Sequence, residues 1–275
     1  AEKMRRKGIV ILGDPGSGKT THLKRLLLYC LREGPEKIGL SKEIVPVFLP
    51  LRELRNLESG LDDFIQEQLA DPHLETPPEF GKRLLKRGNL LLLLDGLDEV
   101  AEPEHRARVS EWIGRSLQIH KSCRFAVTCR FAGYTPEVRL DASLLEMHIR
   151  PMTADQAKAF IYNWYRVVET GVSTDSDQAL VTANQKAEDL TQRLQSGEFR
   201  FSRVFEMTRN PLLLTNLCLV HRDRGNLPEK RIRLYEECTE VLLELWRGAI
   251  GLRAALPARQ SRRVRRSAPV PGAGG

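Results

Sequence analysis

Apolar residues in the first half of the chain fall in short unbroken runs separated by stretches with helical spacing. Gly8–Leu12 reads GIVIL, and further runs lie at 44–49 (IVPVFL), 90–94 (LLLLL), 124–128 (RFAVT) and 144–149 (LLEMHI). Runs of this length, apolar at consecutive positions, suit strands buried on both faces of a parallel sheet. Pro46 withdraws one backbone donor, so the second run is expected at a sheet edge or a bulge. Between the runs, residues 20–31 place Leu23, Leu26, Leu27 and Cys30 on one helical face. Helices are also predicted at 61–69, at 79–87 with Gly88 as the C-cap, and after Pro103 with Val109, Trp112, Ile113 and Leu117 facing inward. Strands alternating with helices give an α/β class with a mainly parallel sheet flanked by helices.

From Arg150 the pattern turns helical throughout. Thr153 and Gln156 form a capping box ahead of a helix at 157–164. Residues 171–177 (GVSTDSD) read as a turn-rich solvated loop. Helices follow at 178–194, at 212–222 with Pro211 in the first turn, and at 234–246. The expected organisation is an α/β nucleotide-binding domain over 1–150, a small all-helical domain over 151–250, and a basic, disordered tail over 251–275. No internal repeat is visible.

The chemistry sits at two strand ends. Residues 13–20 read GDPGSGKT and match G-x-x-x-x-G-K-[ST], directly between the first strand and first helix. Gly13, Gly16 and Gly18 let the backbone wrap a phosphate closely, with Asp14, Pro15 and Ser17 completing the loop. A helix N-terminus there offers free N–H groups and a positive dipole end to an anion. Lys19 is placed to reach the β- and γ-phosphates, Thr20 to offer its hydroxyl to magnesium, and Thr21 follows in the same turn. The five-leucine run ends at Asp95, where a carboxylate can hold Mg²⁺ through water. Asp98 and Glu99 follow as candidates to orient or deprotonate an attacking water. Taken alone, DGLDE also reads as a solvated acidic turn; beside the phosphate loop the magnesium reading is favoured. The cofactors expected are a nucleoside triphosphate, ATP or GTP, and Mg²⁺.

The combination of this phosphate loop with LLLLLDGLDE resembles the NACHT family of signal-transducing (STAND-class) P-loop NTPases. Arg130 follows RFAVTC, where that family places a sensor arginine on the γ-phosphate; by position alone it is as readily a surface arginine. The segment MTRNPLLL, residues 207–214, is similar to the family's helical-domain segment whose proline packs near the base, which implies that role for Pro211. Residues 227–246 resemble the end of the family's first helical domain. The resemblance implies a slowly hydrolysing regulatory ATPase that switches conformation and assembly in signalling or innate immune defence. Preference for ATP over GTP rests on that likeness only. After Gly251 nothing resembles the winged-helix domain and its histidine, and effector and sensor domains are expected as partners outside this sequence. The competing readings are a catalytic P-loop enzyme such as a kinase, and a nucleotide-binding scaffold without turnover. No LSGGQ signature or N-K-x-D base reader occurs.

Charge and cysteines change this picture little. The net charge is +7, but residues 251–275 hold six arginines and no Asp, Glu or Lys. Taking those six from 43 leaves 37 basic residues against 36 acidic ones, so the body is balanced. The tail has no aromatic residue for base stacking, and nucleic acid is not an expected partner. It reads as disordered or foreign to the domain. Five scattered cysteines without C-x-x-C spacing predict buried reduced thiols, and with no apolar run near 18 residues a cytoplasmic location is expected. The start AEKMRRKG has neither an initiator Met nor a signal-peptide core, as for a piece of a longer chain with homo-oligomerisation left to the whole protein.

Overall fold

The computed structural model describes residues 7–249, except 71–75, 101, 174, 198, 200–202 and 229. The expectation for 251–275 therefore lies outside the described residues.

Five parallel strands form one sheet: β1 (Gly8–Leu12), β2 (Val45–Pro50), β3 (Leu90–Asp95), β4 (Arg124–Cys129) and β5 (Leu144–His148). Their order is β2-β3-β4-β1-β5. Pro46 lies in β2, an edge strand, where one missing donor is tolerated. Every residue of β3 is buried, as a strand between two neighbours and two helical layers must be.

Alternate leucines of β3 feed different cores. Leu91 and Leu93 pack with Leu23 and Cys30 of α1 (Lys19–Glu33), with Leu26 and Leu27 against the same cluster. Leu90, Leu92 and Leu94 join the opposite core. That core takes Phe64 from α2 (Leu61–Leu69), Leu85 from α3 (Phe80–Arg87), and Val109, Trp112, Ile113 and Leu117 from α4 (Pro103–Ile119). All four predicted inward residues of α4 are thus buried. Truncating a leucine such as Leu92 to alanine would cost about 2–5 kcal/mol.

Among the described residues, the elements that follow are all helices: α5 (Ala154–Val172), α6 (Ser176–Gln195), α7 (Arg203–Met207), α8 (Pro211–Arg224) and α9 (Arg231–Ala249). The capping box at Thr153 and Gln156 is present in both directions. Ala179, Ala183 and Ala187 recur every four residues on the buried side of α6, which lets its backbone approach its neighbours. The expected loop at 171–177 is helical at both ends. α5 continues through Gly171 to Val172, and Asp175 caps α6 by accepting from the amides of Asp177 and Gln178. Of the polar residues that suggested a loop, Ser173 is the C-cap of α5 and Asp175 the N-cap of α6. The short α7 escapes the sequence pattern because five residues show no period.

A polar relay crosses this core. Tyr165 Oη lies 2.7 Å from His221 Nδ1, and His221 Nε2 lies 2.9 Å from Asp189 Oδ2. Burial, more than any charge, pushes the His221 imidazole below its ordinary value, with Asp189 opposing.

Candidate functional site

The Gly-rich loop joins β1 to α1 at the carboxyl edge of the sheet. Gly16 and Gly18 adopt φ of +75° and +91°, a left-handed geometry that side chains resist. The first turn of α1 has neither a side-chain cap nor an acidic residue, so its leading N–H groups suit an anion. Lys19 Nζ donates to the carbonyls of Gly13 at 2.8 Å and Asp14 at 3.1 Å, folded back over its own loop. Burial lowers the pKa of Lys19; Asp98 opposes this and Arg130 adds to it, so the three charges share one electrostatic site. Ser17 closes the loop through its amide to the Asp14 carbonyl at 3.1 Å. Its buried Oγ has no hydrogen-bond partner among the described residues.

Asp95 ends β3 and is buried. Thr128 of β4 donates its hydroxyl to Asp95 Oδ1 at 2.6 Å and accepts the Gly96 amide at 2.8 Å. This fixes both the carboxylate and the turn that leaves the strand, where Gly96 has φ +80°. Asp98 accepts the Arg130 backbone amide at 2.8 Å and pairs with Arg130 Nε at 2.9 Å. Its side chain is 8% exposed, against 48% for Arg130. Glu99 faces elsewhere, 3.5 Å from Arg52 Nη1. The adjacent Cys129 thiol is pushed up to about 12, chiefly by burial, which removes it as a nucleophile.

The helical half reaches the loop directly. Asn210 caps α8, accepting from the amides of Leu212 at 3.0 Å and Leu213 at 3.3 Å, while its Nδ2 donates to Pro15 O at 2.9 Å. Leu212 N also donates to Gly16 O at 3.3 Å. A cleft of about 1100 Å³ opens beside this contact, with Asp14, Gly16, Ser17, Gly18 and Thr21 on one wall. Pro211, Leu212, Met152, Phe160 and Ile149 supply apolar surface, and Arg25, Arg150 and Arg209 supply cations. One side can therefore take a phosphate and the other a flat ring.

The predicted residues lie at the loop and the neighbouring strand ends with uneven connections. Asp14, Gly16, Ser17, Gly18 and Thr21 line the cleft with Pro211, Lys19 shares charge interactions with Asp98 and Arg130, Thr20 stands in the first turn of α1, Asp95 ends β3, and Glu99 pairs with Arg52. Sequence reasoning missed Thr128, for which no local signal exists. It also missed Asn210, although an Asn directly before a Pro at a helix start is a capping signal.

Among the described residues, no three His, Cys, Asp or Glu side chains cluster as a metal site. The donor set nevertheless fits magnesium, a hard ion that needs one or two protein oxygens and keeps waters and phosphate oxygens for the rest. Thr20 and Asp95 are oxygen donors of that kind. No helix among the described residues is long and apolar enough to cross a membrane.

The family model described as NACHT domain matches residues 7–167. No curated protein matches the chain significantly. Among solved structures, Drosophila ORC bound to DNA is 12% identical, with a TM-score of 0.45 over 87% of this chain and 61% of that one. Domain III of the replication initiation protein DnaA from Thermotoga maritima is 13% identical, with a TM-score of 0.44 over 88% and 86%. The Aeropyrum pernix ORC2 protein, in its ADPNP-ADP complexes, is 13% identical, with a TM-score of 0.45 over 87% and 62%. At such scores these likenesses carry no argument about ligand or activity.

Proposed function

The chain belongs to the NACHT family of P-loop NTPases, and from that premise we propose that it is an ATP- and magnesium-binding regulatory module that hydrolyses slowly. Its nucleotide state would set the arrangement of the α/β part, residues 1–150, against the helical part that follows, and so act as a conformational and assembly switch in signalling or innate immune defence. The observation that carries this reading is the contact of α8 with the phosphate loop. Pro15 O and Gly16 O are both hydrogen-bonded from the start of α8, so a ligand seated in the loop touches both halves of the protein. An enzyme that only turns over a substrate needs no such bridge; a switch does.

In this reading the loop amides and Lys19 bind the phosphates, the ammonium exchanging the carbonyls of Gly13 and Asp14 for phosphate oxygens. Thr20 and Asp95 would hold Mg²⁺, which supplies neutralisation of phosphate charge when bound. Thr128 keeps Asp95 oriented. Arg130 is drawn to the γ-phosphate, a contact ADP cannot offer. Asp98 then keeps the Arg130 amide on one oxygen but loses the guanidinium from the other, which becomes available to accept a proton from water. Pro211 and its apolar neighbours flank the base.

Titration of the full chain with fluorescent ATP, ADP and GTP, with and without Mg²⁺, tests the binding half. Single-turnover hydrolysis tests the other half. Absence of saturable binding for every nucleotide overturns the proposal. A scaffold that binds without turnover is the second reading, favoured by the basic partners that Asp98 and Glu99 already carry. Tight binding with no phosphate release selects it.

A further inference from the structure

Resting on that nucleotide-binding reading, we infer that Asn210 is a positioning residue for the phosphate loop, through which α8 sets nucleotide affinity and nucleotide in turn holds α8 in place. One carboxamide serves two elements. Its oxygen takes the amides of Leu212 and Leu213 and so starts α8, while its nitrogen donates to Pro15 O at 2.9 Å. Leu212 N adds a second tie, to Gly16 O at 3.3 Å.

These ties act on the part of the loop that most needs them. A loop with glycines at 13, 16 and 18 has many backbone conformations, and its own sequence selects none of them strongly. The peptide unit is planar and trans, so its C=O and N–H point in opposite directions. Holding the Pro15 carbonyl on α8 therefore turns the Gly16 N–H away from α8. Holding the Gly16 carbonyl does the same for the Ser17 N–H, which closes on Asp14 O. The orientation of loop amides, on which phosphate binding depends, is thus set from a residue 195 positions downstream.

The contact is also too close for any other residue at 16. A Cβ there would lie 2.7 Å from Leu212 Cβ and 2.9 Å from Asn210 Oδ1. Gly16 is a glycine as much for α8 as for phosphate. The far end of α8 is anchored in turn, because His221 is bonded to Tyr165 of α5 and to Asp189 of α6. What moves the first turn of α8 thus bears on the packed helices. Linkage makes the effect reciprocal: affinity gained from a docked α8 is returned as docking gained from nucleotide.

Serine separates the two duties of Asn210, since its hydroxyl can cap α8 but is too short to reach Pro15 O. Asn210→Ser in the full chain is expected to lower the melting temperature of the ligand-free protein only slightly, since the lost bond is exposed, and to bind Mg-ATP about three- to tenfold more weakly. Asn210→Thr, a second capping residue, is expected to match it, whereas Asn210→Ala melts lower still. In the wild type, ATP should slow hydrogen exchange in the first turn of α8, and in the Ser and Thr variants this protection should shrink. Wild-type affinity together with undiminished protection in both capping variants overturns the inference. Failure of the wild type to bind any nucleotide overturns the functional reading first, and this inference with it.

Discussion

Arg130 Nε lies 2.9 Å from Asp98 Oδ2 while the Arg130 amide donates to the other oxygen of the same carboxylate at 2.8 Å. Asp98 is thus held twice by one residue, once through a tie that cannot move with the side chain. The guanidinium, half exposed, is the mobile partner. A triphosphate arriving beside Lys19 presents a denser negative charge than one carboxylate and would compete for it. Arg130→Ala is therefore expected to weaken ATP about tenfold or more while changing ADP affinity less than about twofold, as for loss of one charge-assisted contact. Asp98 keeps the Arg130 amide in that variant and the lost guanidinium is half exposed, so the cost in stability should be modest, about 1–2 kcal/mol. Equal losses for ATP and ADP would make Arg130 structural.

The two acids after Gly96 should behave differently, because the Asp98 side chain is largely covered and shares charge interactions with Lys19 and Arg130, whereas Glu99 pairs with Arg52. Asp98→Asn is expected to leave ATP binding within a few-fold of wild type and to slow single-turnover phosphate release strongly, on the order of the hundredfold or more typical of a lost general base. Glu99→Gln should leave that rate much closer to wild type. A slow Glu99→Gln beside a normal Asp98→Asn would reverse the assignment.

Lys19→Ala removes an ammonium that burial already disfavours and that donates to the loop carbonyls of Gly13 and Asp14. Nucleotide affinity should fall by about 1.5–3 kcal/mol with little change in melting temperature. Unchanged affinity in a folded variant would displace the phosphate site from this loop.

Thr128→Val swaps a buried hydroxyl for a methyl of similar size. Asp95 Oδ1 and the Gly96 amide would both lose their partner, a destabilisation of about 1–3 kcal/mol. Because Asp95 would also lose its orientation, the Mg²⁺ concentration giving half-maximal ATP binding should rise. A variant that is destabilised but needs no more Mg²⁺ than wild type would leave Thr128 a purely structural residue.

Some of the local structure was legible in the sequence to the residue. β1 at Gly8–Leu12 and α2 at Leu61–Leu69 coincide with their predicted bounds, and the Thr153–Gln156 capping box forms as written. These features depend on neighbours within a few positions. Thr128 meets Asp95 across 33 positions and Asn210 meets Pro15 across 195, so no window of sequence contains either pair. The pairing of Asp98 with Arg130 was hidden for the same reason, although each was singled out alone. The expected loop at 171–177 was right in place but too long, because Ser, Thr, Asp and Gly mark both loops and helix ends: α5 runs to Val172 and α6 starts at Ser176.

The buried relay gives the protein an acid-sensitive point away from the nucleotide. His221 sits between the hydroxyl of Tyr165 and the carboxylate of Asp189, and desolvation holds its folded pKa below the unfolded value of about 6.5. A histidine with a depressed folded pKa binds its proton more readily when unfolded. Its contribution to stability is therefore complete above the unfolded pKa and declines as pH falls through 6.5 toward the folded value. Asp189, held low by Arg193 and His221 although burial pushes it the other way, loses its own contribution only in the carboxylate range. His120, also lowered by burial, acts in the same direction and needs its own control. Melting temperature should thus drop as pH falls below about 6.5 in the wild type and in His120→Gln. In His221→Gln it should be lower at pH 7, since a buried hydrogen bond is lost, yet flatter as pH falls. An equal slope in the wild type and His221→Gln would assign the acid response to other groups and leave the relay a fixed structural tie.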